Sequence, residues 1–218
     1  MTKKTCISKN QQVQESELTS RNANISNPNL AQDVQAVEEE YSIEDLERLF
    51  AKPGFVTVYI SMSNFWYVQK ICNHFNDKQS KIMFKFEIGS SNSEVLKFWN
   101  PDLPSFEEIL ESLKLAHSMG FATFVNCAPP LDMNTLDLVN IVSPYVNIID
   151  IHIINRVEDF LTEEALNDPE SVNKAEELFQ IQSGDWLPNL YEKLKNNSKV
   201  RWSNDTLEFL NSKIGDMD

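Results

Sequence analysis

From Tyr41 onward, apolar runs of strand length take turns with stretches of helical periodicity. The pattern is clearest between Ile82 and Asp132. Ile82-Met83-Phe84-Lys85-Phe86-Glu87-Ile88 reads as a strand that stops at Gly89-Ser90-Ser91-Asn92. A loop from Leu96 to Pro101 follows. Then Phe106, Ile109, Leu110, Leu113 and Ala116 recur at helical intervals and predict a helix from Pro104 to Gly120. Ser105 with Glu108 three residues on is a capping box, each side chain satisfying a free N–H of the first turn. Gly120 stands where a left-handed helix cap needs a residue without a Cβ. Phe121 to Asn126 is the next strand, running into Cys127-Ala128-Pro129-Pro130-Leu131-Asp132. A helix between two apolar strands is the βαβ unit of a parallel sheet, whose ligands gather where the strands end. Gly89-Ser90-Ser91 and Cys127-Ala128-Pro129 therefore fall at one rim.

The same reading extends in both directions. Ser42 and Asp45 start a helix with Ile43, Leu46, Leu49 and Phe50 as its apolar face, stopped by Pro53-Gly54. Phe55 to Ser61 is a strand, β-branched and continuous, as strands covered on both faces are. A helix from Asn64 to Phe75 and a polar turn Asp77 to Ser80 lead into the central unit. Beyond Asp132 come a helix from Asn134 to Val142, a strand from Val146 to Ile154, and acidic helices over Arg156–Leu166, Pro169–Gln180 and Trp186–Lys195. A short segment, Lys199 to Trp202, precedes a last helix near Asp205 to Leu210. Four strands separated by helices predict an α/β fold of about four parallel strands, which, where the sheet curls, is a segment of a TIM-like (β/α) barrel. It spans residues 41–218 and carries a helical C-terminal extension. Residues 1–40 are rich in Gln, Asn, Ser and Glu without apolar period, and are expected to form a disordered tail.

A net charge of −14 opposes binding to nucleic acid or to an anionic bilayer, both polyanions. No run reaches the roughly 18 apolar residues of a membrane span. No apolar segment follows MTKKTCISKN, so secretion is not expected and the cytoplasm is. The cysteines Cys6, Cys72 and Cys127 and the histidines His74, His117 and His152 are isolated from one another. That spacing predicts neither a disulfide framework nor a metal site.

The stretch IMFKFEIGSSNSEVLKFWNPDLPSFEEILESLKLAHSMGFATFVNCAPPLD resembles the second half of the barrel in radical SAM enzymes, those close to spore photoproduct lyase-like proteins. There a strand ending IGS is followed by LKFWEP, PSFEERL and SCEPMLD. FVTVYISMSN, ICNHFNDKQSKI and WLPNLYEKLKNNSKVRW extend the likeness over about Phe55 to Leu210. The resemblance implies a six-stranded partial barrel of which this chain holds the third to sixth strands. It also implies S-adenosylmethionine and a 4Fe–4S cluster held by C-x-x-x-C-x-x-C after the first strand, a motif this sequence lacks. Gly89, Ser90 and Ser91 then match the end of the fourth strand, where the family meets the cofactor ribose. Asn155 is retained after the sixth. On the residues alone, glycine and serine here simply make a turn, and Cys127 is a small buried apolar residue. Trp99 in the LKFW loop either stacks on a ligand or packs over the rim. Ala128 replaces the Glu of CEP, Ile153 or Ile154 the Lys before Asn155, and Ser203 the Lys of RWK. Losing those charges points to lost cofactor binding, since unused buried charges are costly.

Two functional expectations follow. The chain is the back half of a split radical enzyme whose cluster-bearing strands come from a partner, or a catalytically degenerate relative. The alternative is a non-catalytic interaction or scaffold protein. No cofactor is expected for this chain alone, and the sequence singles out no catalytic residue. With its first two strands missing, the Phe55–Ser61 strand is expected to present a free edge to a partner or to a second copy.

Overall fold

A computed structural model describes residues 34–37, 42–50, 55–60, 65–154, 156, 160–161, 163 and 165–215. Six strands form one sheet: β1 (Val34–Val37), β2 (Phe55–Ile60), β3 (Ile82–Glu87), β4 (Ala122–Cys127), β5 (Ile148–Ile151) and β6 (Val200–Trp202). They lie side by side in chain order, and every neighbouring pair is parallel. Helices fill the connections: α1 (Ile43–Phe50), α2 (Phe65–His74), α3 (Ser93–Trp99), α4 (Phe106–Ser118) and α5 (Thr135–Val142). After β5 come α6 (Pro169–Ser183) and α7 (Trp186–Leu194), and after β6 comes α8 (Asn204–Gly215). Right-handed crossovers in a sheet wound in one direction put the helices on one face. The order is compatible with a segment of a (β/α) barrel.

The sheet has two unlike faces, because side chains alternate along a strand. In β3, Ile82, Phe84 and Phe86 are fully buried, whereas Met83, Lys85 and Glu87 are partly so. Val125 and Cys127 of β4 and Ile149 and Ile151 of β5 join the buried set. With Val68, Ile71 and Phe75 around α2, Leu113 and Ala116 of α4, and Leu138 and Val142 of α5, they make one core between helices and sheet. Phe84 stands edge-on to Phe121, with ring centroids 5.4 Å apart. Phe84→Ala is expected to cost about 3–5 kcal/mol in chemical denaturation, through lost contacts and the cavity left behind.

Local signals held where caps decide structure. Ser105 Oγ accepts from Glu108 N while Glu108 accepts from Ser105 N, closing the expected capping box. Gly120 has φ +83°. The segment read as a loop from Leu96 to Pro101 instead belongs mostly to α3. Asn92 caps this helix by accepting from Glu94 N, and Leu96 and Trp99 are buried three residues apart. Within the expected helix Arg156–Leu166, Phe160 is helical and a 3₁₀ turn begins at Ala165 among the described residues. The strand expected over Val146–Ile154 is confined to Ile148–Ile151, and the last helix runs on to Gly215.

The largest departure lies at the N-terminal edge. Four strands were expected and six occur among the described residues, one added on each side. Lys199 to Trp202 contributes β6, which pairs with β5. Val34–Val37, inside the segment expected to be a disordered tail, is β1. It pairs with β2 from Val34 opposite Phe55 to Val37 opposite Val58. β1 therefore lies along β2 from Phe55 to Val58, on the edge expected to be free for self-association or a partner. Four residues in a polar segment carry no readable period, and parallel pairing depends on a strand some twenty residues away. No helix among the described residues is long and apolar enough to cross a membrane.

Candidate functional site

The loops that follow β3 and β4 meet at the C-terminal rim of the sheet. Gly89 O accepts from Leu131 N at 2.8 Å. A Cβ on Gly89 would lie 2.6 Å from Leu131 Cγ and 2.7 Å from Pro129 O, so glycine permits this approach. Ser90 is buried; its Oγ donates to Asp132 Oδ2 and accepts from Asn92 N. Gln182 of α6 secures the rim from behind, donating from Nε2 to Pro130 O at 2.6 Å and accepting from Ile154 N at 2.8 Å. Of the residues the sequence proposed for cofactor contact, Gly89 and Ser90 thus tie the two loops together. Ser91 lies half-buried beside them, and Asn155 falls outside the described residues. Trp99 is buried edge-on against Phe160, so it packs under the rim.

A second group of residues was not singled out by sequence, and it lies on the sheet face opposite the helices. The ladder register sets Glu87 opposite Asn126, Asn126 opposite Asp150, and Asp150 opposite Arg201. One polar row therefore crosses four adjacent strands near their C-terminal ends. Asn126 Nδ2 donates to Glu87 Oε2 at 2.7 Å, and Lys85 Nζ lies 3.5 Å from Glu87 Oε1. Both ions are recessed, with side chains 14% and 17% exposed. Lys85 Nζ also sits 5.6 Å from the Phe124 ring centroid. Asp150 is only 9% exposed, and its buried Oδ1 has no hydrogen-bond partner. Towards the N-terminal ends the next row on this face sets Phe124 between Lys85 and Ile148, and the row beyond sets Met83 opposite Ala122.

Burial governs the protonation of this face. It raises the Asp150 carboxyl above the usual carboxylate range, helped by the Glu87 charge and opposed by Arg201 and Lys85. His152 lies just past the end of β5, two residues after Asp150, and the Lys85 charge acts on both. Burial, with Lys85 beside it, lowers that imidazole to about 4 against the pull of Asp205, so it is neutral at pH 7. The arrangement offers a desolvated carboxylate, a neutral imidazole, an amide and two cations over an apolar floor. A signal for it was present in the sequence. Phe84-Lys85-Phe86-Glu87 and Ile149-Asp150-Ile151-His152 place polar residues at every second position of otherwise apolar strands, the period of a face that differs from its reverse.

The sign of the Asp150 shift gives a stability prediction. Its folded pKa exceeds the ordinary 3.8, so the stabilisation belongs to the protonated form. It is full below the unfolded value and lost as pH rises through the folded one. Above the folded value the fold bears the cost of a buried carboxylate. Asp150→Asn is expected to be more stable there by about 1 kcal/mol, or ~2–4 °C in melting temperature. The gain should shrink as pH falls towards 4, which melts across that range would record.

The cysteines do not fit the cluster that the resemblance implies. Cys72 and Cys127 are buried in the helix–sheet core, away from the polar row. Burial pushes the Cys72 thiol up to about 12 and Cys127 higher still, against the thiolates a cluster needs. Cys6 lies outside the described residues. No group of three or more His, Cys, Asp or Glu suited to a metal ion occurs among the described residues. No family model, no curated protein and no solved structure matches the chain.

Proposed function

We propose that this chain is a radical SAM-like protein without the catalytic cluster, which binds a small polar molecule on the sheet face opposite the helices. The observation that carries this reading is the in-register row Glu87–Asn126–Asp150, recessed in the fold with one carboxylate oxygen of Asp150 unpaired. Burying charge costs several kcal/mol. A scaffold protein gains nothing from it, while a binding site spends that cost on recognition. The Ile82–Asp132 likeness and the sequential parallel strands support the radical SAM-like part of the reading. The buried cysteines argue for a degenerate relative over a catalyst. The degenerate relative is also favoured over the back half of a split enzyme, because β1 already occupies the edge where a partner's strands were expected to add.

Two measurements test the proposal. Anaerobic reconstitution with iron and sulfide is expected to leave the protein colourless. A stable brown species lost in Cys127→Ser would overturn the cluster-free reading. Thermal-shift screening of small polar metabolites, S-adenosylmethionine among them, should yield stabilising compounds whose effect disappears in Asn126→Leu. Stabilisation indifferent to that substitution would place the ligand elsewhere.

A further inference from the structure

We propose that the polar face takes a small organic cation, a protonated amine with an apolar body, and that the Asp150 carboxylate is its counter-ion. The inference rests on the reading of that face as a ligand site and adds the chemical class of the ligand. It follows from which charges on the face are already matched. Glu87 has Lys85 at 3.5 Å and the Asn126 amide at 2.7 Å. Asp150 has no ion pair within 4 Å among the described residues, and its Oδ1 makes no hydrogen bond although the residue is nine-tenths buried. Arg201 stands opposite Asp150 in the ladder, but its side chain is exposed at the edge strand.

The remaining groups facing Asp150 do not favour an anion. His152 is neutral at pH 7 and supplies no positive charge, and Asp205 acts on it as a further negative one. An anionic ligand would enter beside two carboxylates, with Lys85 already engaged by Glu87. A neutral ligand would bring no charge to Asp150 in a dry setting, where an unpaired charge is most costly. A cation removes that cost. Phe124 and Ile148, one row below the charge and beside Lys85, give an alkyl or aryl body an apolar surface. Phe124 already has an ammonium group, that of Lys85, 5.6 Å from its ring centroid, a geometry in which an aromatic face attracts cations.

Size-matched probes separate the alternatives. The full chain is titrated with n-pentylamine, pentanoate and n-pentanol at constant ionic strength, and backbone amide resonances of β3, β4 and β5 are followed by NMR. The amine is expected to shift these resonances with saturation and to bind at least tenfold tighter than either other probe. Asp150→Asn should weaken the amine at least tenfold, whereas Glu170→Gln, on the exposed start of α6, should leave it unchanged. That control separates the site from general attraction to an acidic protein. Tighter binding of pentanoate, or equal binding of pentanol, would overturn the cation and leave the ligand-binding reading standing. Silence of all three probes at β3–β5 would overturn both.

Discussion

Gly89→Ala is expected to lower stability by roughly 2–3 kcal/mol, a drop of about 4–12 °C in melting temperature. The added methyl would stand 2.6 Å from Leu131 Cγ and 2.7 Å from Pro129 O. Leu131 can rotate away, but the Pro129 carbonyl is backbone and can yield only if the loop after β4 moves. That movement would also break the Leu131 N–H bond to Gly89 O and disturb the Ser90–Asp132 contact beside it. The measurement is a thermal or urea melt of the variant against wild type. An unchanged midpoint would show that the loop accommodates the methyl and that glycine is not required for packing there. The outcome also separates two roles for this position, since a glycine kept only for ligand contact would leave the apo melt untouched.

Removing β1 is the second change with a large expected effect. Deleting residues 1–33 should leave the melting transition nearly unchanged, because that segment is polar and lacks apolar periodicity. Extending the deletion through Val37 removes the strand that pairs with Phe55 to Val58. It uncovers the unpaired N–H and C=O groups of β2, a strand of sequence FVTVYI with no charge to discourage pairing with another chain. The longer deletion is expected to sediment as oligomers or to lose most of its soluble yield, while the shorter one stays as wild type. Lys substituted at Val58 in the longer deletion should recover soluble protein. If both deletions behave like wild type, β1 is dispensable and the β2 edge is protected by other means.

How far the sequence reaches depends on the range of the interactions involved. Elements settled by neighbours in the chain were legible: the capping box Ser105–Glu108, the αL glycine at Gly120, the stripe of α4, and the strands β3 and β4 on either side of it. Caps and stripes act within a turn or two, so residue spacing carries them. The short helix α3 was not read, because its signal is one Asn cap and a few apolar residues. Polarity at alternate positions in β3 and β5 was also visible, though only a strand's period gives it meaning.

Three matters were decided by tertiary structure. One was the pairing of Val34–Val37 with β2, a contact between segments whose sequences do not specify each other. Another was the packing of Gly89 and Ser90 against the Pro129–Asp132 loop, which spends on loop closure two residues that composition alone allows for ligand contact. The last was the register of four parallel strands, which sets Glu87, Asn126, Asp150 and Arg201 in one row although 39, 24 and 51 positions separate them in turn. Burial then did what no single residue could. By withdrawing water from Asp150 and His152, the fold made an unmatched carboxylate and a neutral imidazole out of side chains that, exposed, would be unremarkable.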